Sequence, residues 1–395
     1  MSHAAAAKLL SDHAGLQRRC AGLPGVNKGS KPGEHIISVR CSSVSVAPNQ
    51  TRPALLLLLS ERPRPPEGSQ GDQKQAGGPK PLRLSNGARE IVLQGRGPPL
   101  GDGQVVTDEE REWRGPFCFI QAADPQLGLM KAWRVGDCDG GGDEWTEEVR
   151  LMQQAVRAVN ELRPRPRFVA LCGDLIHAMP DSPFREEQEK DLKEALRLTD
   201  PDIPLVFVSG NHDLGNTPTP ATVEQFRRTW GDDYFSFWVG GVLCLVLNSQ
   251  LFFDASGCPQ LAEAHDAWLE RQLQSAAHST ARHVLVFQHI PLYLRTPDED
   301  DEYFNLQRVQ RASLLRRFHQ AGVKAVFSGH YHRNAGGSHG GLDMVVSSAI
   351  GCQLGDDPHG VRVVVVTADE IIHRYHSLEQ LSERGIDEDL KKLLA

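Results

Sequence analysis

Four short apolar runs in this chain each stop at a polar cluster: ALCGDLIH (170–177), VFVSGNHD (206–213), LVFQHIP (285–291) and AVFSGHYH (325–332). Short runs rich in Val and Phe, bounded by Gly, read as buried strands. In open α/β sheets, sites form where such strands end. A fifth run, 117–122, leads in the same way into Asp124-Pro125-Gln126. Further strands are expected over 167–171, 205–208, 242–247, 283–287, 324–327, 344–346 and 361–366. Amphipathic spacing predicts helices over 144–162, 185–198, 222–230, 261–274 and 306–321. This alternation implies an α/β fold of βαβ units with mostly parallel pairing. Gly240-Gly241 and the tail 362–376 each read as a hairpin.

The 395 residues divide into two unlike parts. Residues 1–100 hold eleven of the 25 prolines and 14 Lys/Arg against 6 Asp/Glu, so the other 295 residues carry 29 basic and 45 acidic side chains. Tracts such as SERPRPPEGSQGDQKQAGGPKP offer too little apolar surface to offset the entropy of ordering them. Residues 1–108 therefore read as a largely disordered basic extension, and 109–395 as one folded domain. The six-residue apolar run Ala54–Leu59 is far short of the ~20 residues that span a bilayer. Lys8, Asp12 and His13 break up any secretory leader. Few acids among early Ala and Arg resemble a transit peptide faintly; an extension without a targeting role is the reading taken. The acidic folded part argues against nucleic acid, which calls for a basic footprint. Eight scattered cysteines without a CxxC pair point to a reducing compartment and no thiolate metal site.

Each polar cluster alone has a plain structural reading. Gly173-Asp174 fits a turn, His289 a satisfied core histidine, and Asp124-Pro125 a strand-ending turn. Gly210-Asn211-His212-Asp213 is more pointed, because Gly permits a tight bend where an amide oxygen and an imidazole are presented. His330 and His332 stand two apart and so share one side of an extended segment. Taken together, in order and each after a β-rich run, they supply Asp, Asn and His donors without sulfur. That mixture suits Mn, Fe, Zn or Mg, and two such ions sharing a carboxylate are apparatus for in-line attack at phosphorus.

Asp124, Gly173-Asp174, Gly210-Asn211-His212-Asp213, His289 and Gly329-His330-Tyr331-His332 resemble, in that order, the calcineurin-like metallophosphoesterase superfamily. The resemblance runs from about residue 110 to the end. It implies a four-layer α/β/β/α sandwich with mixed sheets and a centre of two divalent metal cations. Asp174 would bridge both ions; Asn211, His289 and His330 would complete one site, and Asp124 and His332 would serve the other. His212 would face the phosphate and protonate the leaving oxygen, with Asn211 also contacting substrate. A metal-bridging hydroxide would attack directly, without a phosphoenzyme. CGDLIHAMP and SGNHDLGNTPT further resemble cytoplasmic serine/threonine protein phosphatases of that superfamily, which implies a phosphoprotein substrate. Oligomeric state is left open.

The superfamily's first motif is usually Asp-x-His, and here Gln126 stands in the His position. An amide oxygen binds late first-row metals less well than imidazole, so Gln126 is a candidate ligand of a weaker first site, and Asp137 a candidate compensating carboxylate. His177 stands where many relatives carry an acid; it is a substrate contact or a loop residue. Arg333 is a candidate partner for phosphate charge, or a surface ion pair. The acidic run 297–303 reads as a solvated loop; beside the cleft it would favour basic substrates. A phosphodiesterase, a nucleotide hydrolase and a non-catalytic scaffold remain alternatives.

Overall fold

The computed structural model describes residues 92–94 and 108–395. The expectation of disorder over 1–108 otherwise falls outside the described residues. Within that stretch, β1 (Val92–Gln94) is a strand, paired antiparallel with β5 (Phe235–Val239). The domain thus recruits a piece of chain that composition assigns to the extension. Ile91-Val92-Leu93 was the apolar, β-branched signal for it.

Two mixed sheets carry the fold. The five-stranded sheet consists of β2 (Phe117–Ala122), β3 (Val169–Cys172), β4 (Leu205–Val208), β11 (Gly360–Val366) and β12 (Ile371–Ser377), in the order β12-β11-β2-β3-β4. The seven-stranded sheet adds β6 (Val242–Val246), β7 (His283–Phe287), β8 (Val323–Ser328), β9 (Ala335–His339) and β10 (Leu342–Val346), in the order β1-β5-β6-β7-β8-β10-β9. Pairing is parallel in each centre, β2 with β3 and β4, and β6 through β7 and β8 to β10. Antiparallel strands flank each centre. "Mostly parallel" therefore holds only for the centres. Both expected hairpins are present, β5–β6 and β11–β12. A third, β9–β10, rests on a strand of sequence AGGSH, which has no apolar period to read.

Successive side chains of a strand point to opposite faces, and here both faces are dry. From β2, Phe117 and Phe119 enter a core shared with β6, β7 and β8, while Cys118, Ile120 and Ala122 face helices. On β6, Val242, Cys244 and Val246 face inward; Leu243 and Leu245 meet the other helical layer. Phe119 stacks on Phe168 at 4.6 Å and meets Phe287 and Phe327 edge-on at 5.7 and 5.5 Å. Each such ring contributes roughly 1.5–3 kcal/mol by burial. Thr146–Glu161, Arg185–Leu196 and Pro220–Trp230 cover one sheet, and Pro259–Ala277 and Arg308–Gln320 the other. The order is helix, sheet, sheet, helix.

Candidate dinuclear metal site

The carboxyl ends of β2, β3, β4, β7 and β8 converge. Segment 124–128 runs beside 173–177: Asp124 N–H donates to Gly173 O (3.2 Å), Gln126 N–H to Asp174 O (3.0 Å) and His177 N–H to Leu127 O (3.0 Å). Asp124, Gln126, Asp174, His330 and His332 all have left-handed backbones, with φ between 36° and 69°. Non-glycine residues there are strained and cluster at functional sites.

Two groups of donors result. Asp174, His289 and His330 form one, and Asp124, Asp174 and His332 the other, each with donor atoms within 4.8 Å of one another. Asp174 belongs to both. His289 Nε2 lies 3.3 Å from Asp174 Oδ2 and 3.2 Å from Asn211 Oδ1. His332 Nε2 lies 3.3 Å from Asp124 Oδ1.

Every imidazole here spends one nitrogen on a backbone carbonyl. His289 Nδ1 donates to Cys172 O (2.8 Å), His332 Nδ1 to Cys352 O (2.6 Å) and His330 Nε2 to Tyr303 O (3.0 Å). A carbonyl only accepts, so these bonds fix the tautomer and leave the other nitrogen facing the carboxylates. His212 Nδ1 donates to His177 O (2.6 Å), and the His212 main-chain N–H donates to Asp174 Oδ1 (2.9 Å).

Burial drives the electrostatics, and the cluster reverses it at His289, Asp174 and His332. Burial pushes His289 down, but Asp174 and Asp124 pull it up to about 9. Burial pushes Asp174 up, yet His289, His212 and His330 hold it well below the carboxylate range. His330 falls to about 3 through burial and the neighbouring His289 charge. Burial, with Asp174 beside it, lifts Asp213 to about 7. A buried pair of carboxylates thus draws positive charge, as a cation site does.

Glycine is required where these groups touch. A Cβ on Gly210 would stand 2.2 Å from Asp174 Oδ1, and one on Gly329 would stand 2.4 Å from Asp124 Oδ2 and 2.7 Å from Ala123 Cβ. None of these distances is tolerated between non-bonded heavy atoms. Gly329→Ala is expected to displace Asp124, cost about 1–3 kcal/mol through overpacking, and lower metal content after dialysis. Elemental analysis and thermal melts measure both; unchanged metal content would contradict the role given to this close approach.

Asp124, Asp174, Asn211, His289, His330 and His332 are therefore assembled, with His212 beside them. Gln126 and His177 line the same cavity as Asp174, His212 and His332. Asp137 is not brought in: it is exposed, in neither donor group, and follows the helix Leu129–Val135 at Gly136, where its carboxylate lies against Gly140. Arg333 turns aside as well, donating to Tyr331 O and Leu354 O and lying 4.8 Å over the Tyr331 ring.

Two residues were missed in the sequence. Tyr303 lines the cavity, and its hydroxyl accepts from Asn211 Nδ2 (3.2 Å). It ends the acidic run, which therefore borders the cavity while Asp298, Asp300, Asp301 and Glu302 stay exposed. An aromatic after five acids was the available signal. Buried Arg185 donates to the carbonyls of Ala178 (2.8 Å), His212 (3.1 Å) and Asp213 (2.9 Å), clamping the GNHD turn. At the start of an amphipathic helix, an arginine carries no such signal.

Residues 120–334 match the family model described as calcineurin-like phosphoesterase. The chain belongs to this family. Calcineurin-like phosphoesterases hold a dinuclear metal site, and the donor set here fits one: oxygen and nitrogen ligands, a shared carboxylate, and imidazoles oriented by carbonyls. The chain is 78% identical over 290 residues to "Serine/threonine-protein phosphatase CPPED1" of Danio rerio, covering 73% of this chain and 94% of that one. It is 64% identical over 288 residues to the Homo sapiens protein of the same name, covering 73% and 92%. A solved structure of a dimetal phosphatase from Danio rerio aligns at 16% identity with a TM-score of 0.47, covering 67% of this chain and 100% of that one, a likeness too distant to argue from.

Proposed function

We propose that this chain is a metal-dependent serine/threonine protein phosphatase that cleaves phosphomonoesters directly. The observation that carries the reading is Asp174 shared by two donor groups, with His212 beside them. The two cations, when bound, supply Lewis acidity and an activated water for in-line attack. Asp124 and His332 would hold the first, Asn211, His289 and His330 would hold the second, and Asp174 would serve both. The chain's own residues do the rest. Asn211 Nδ2 donates to Tyr303 and to Asn216 Oδ1 (3.2 Å), which turns its Oδ1 toward His289. His212 Nδ1 is held by the His177 carbonyl, so Nε2 is the atom that delivers a proton to the departing serine or threonine oxygen.

Among the described residues, a covalent route through cysteine finds no support. Burial pushes the thiols of Cys118, Cys172 and Cys352 up to about 12, where no thiolate nucleophile forms. A cytoplasmic location belongs to the same proposal. Among the described residues, no helix is long and apolar enough to cross a membrane.

The test compares Mn-loaded protein on p-nitrophenyl phosphate, its bis ester and a phosphoserine peptide. Faster turnover of both monoesters is expected; preference for the diester sinks the proposal. Activity no greater than that of an Asp174→Asn, His212→Ala double variant would make the chain a scaffold.

A further inference from the structure

The residue that departs from the family's Asp-x-His pattern is buried, strained and half-partnered. Gln126 is 2% exposed and shares the left-handed backbone of Asp124, Asp174, His330 and His332. Its main-chain N–H is tied to Asp174 O and its carbonyl to Leu129 N–H, so the side chain starts from a fixed base. Its amide has two ends, and only one has a partner. Nε2 lies 3.5 Å from His177 Nδ1, whereas Oε1 is buried without a hydrogen bond. A buried unpaired amide oxygen costs about 1–3 kcal/mol, and Gln126 lines the cavity that Asp174 and His332 also line.

The histidine determines which end points where. His177 Nε2 lies 3.1 Å from Cys138 O. A carbonyl only accepts, so Nε2 carries the proton and Nδ1 presents a lone pair. That lone pair takes an N–H from Gln126 and repels its oxygen. The opposite amide orientation would set two acceptors face to face at His177 and turn an NH₂ toward the metal ligands. His177 thus has the wiring of His289, His330 and His332: one nitrogen on a carbonyl, the other directed into the site. It does not belong to either donor group.

We propose that Gln126 Oε1 is a ligand of the first metal, and that His177 is the positioning residue that turns it there. The chain thereby replaces one imidazole by an amide oxygen plus a dedicated orienting group. This shifts the first site toward harder ions such as Mn²⁺ and away from Zn²⁺. The inference rests on the dinuclear site. Wild-type protein that binds fewer than two ions defeats that reading, whereas unaltered Gln126 variants defeat only this one.

The experiment titrates metal-depleted full-length protein calorimetrically with Mn²⁺ and, separately, Zn²⁺. Gln126→Leu is expected to lose the first Mn²⁺ and keep the second; two unchanged sites would overturn the proposal. Should that variant fail to fold, Gln126→His decides. It is expected to tighten first-site Zn²⁺ about tenfold or more, and unchanged Zn²⁺ affinity overturns the proposal. His177→Leu is expected to weaken first-site Mn²⁺ about 10–100-fold, in the range for groups that orient metal ligands. His177→Asn keeps an acceptor near the Nδ1 position and is expected to restore most of that affinity. Equal losses in both variants would remove the positioning role.

Discussion

An Asp174→Asn variant is expected to lose about 10³-fold in kcat, because removing the shared carboxylate dismantles both donor groups at once. The magnitude follows from Lewis-acid stabilisation worth several kcal/mol, here taken as about 4, at 1.36 kcal/mol per tenfold. The substitution is nearly isosteric and keeps an oxygen for the His212 N–H at 2.9 Å, so the fold has no steric reason to fail. What it removes is the charge that, with Asp124, lifts His289 to about 9. Elemental analysis is expected to show metal content falling toward zero. Thermal melts offer an independent check. Ligand at 100 times its Kd stabilises the folded state by about 2.7 kcal/mol, so Mn²⁺ raises the melting temperature of the wild type and leaves that of the variant unmoved. A variant with two bound ions and wild-type turnover would show that Asp174 does not bridge.

The parts of this site that could be read in the sequence are those fixed by local chemistry. A β-rich run ending in Gly-Asp or Gly-Asn-His announces a strand end with donors on it, and β2, β4 and β7 fall at their expected bounds. Where several strand ends carry donors in one α/β sheet system, their convergence follows from topology. What could not be read depends on contacts between distant segments. Arg185 reaches the carbonyls of His212 and Asp213 across 27 and 28 residues, and nothing local distinguishes it from a surface helix arginine. Tyr303 reaches Asn211 across 92 residues. Asp137 shows the converse: it sits near the donors in sequence, but after the turn at Gly136 it is exposed and in neither donor group. AGGSH became β9 because β10 offered it an edge, which is tertiary pairing overriding intrinsic preference.

His212→Ala is expected to separate substrates by their leaving groups. A serine alkoxide leaves poorly and needs a proton, whereas p-nitrophenolate leaves readily without one. General acid catalysis contributes about 10²–10⁴-fold, so the variant should lose that much on a phosphoserine peptide and less than about tenfold on p-nitrophenyl phosphate. The geometry assigns the proton to Nε2, since Nδ1 is committed to the His177 carbonyl at 2.6 Å. That bond also favours the charged imidazole, against the burial that pushes His212 down. Metal content should be unchanged, because His212 belongs to neither donor group. His212→Asn is the companion variant: it retains a polar group without a proton to give, and should show the same substrate dependence as alanine. Equal losses on both substrates would mean that His212 binds phosphate or shapes the site without protonating the leaving oxygen. A fall in metal content would mean instead that the imidazole supports the metal ligands, since both variants keep the main-chain N–H that bonds Asp174.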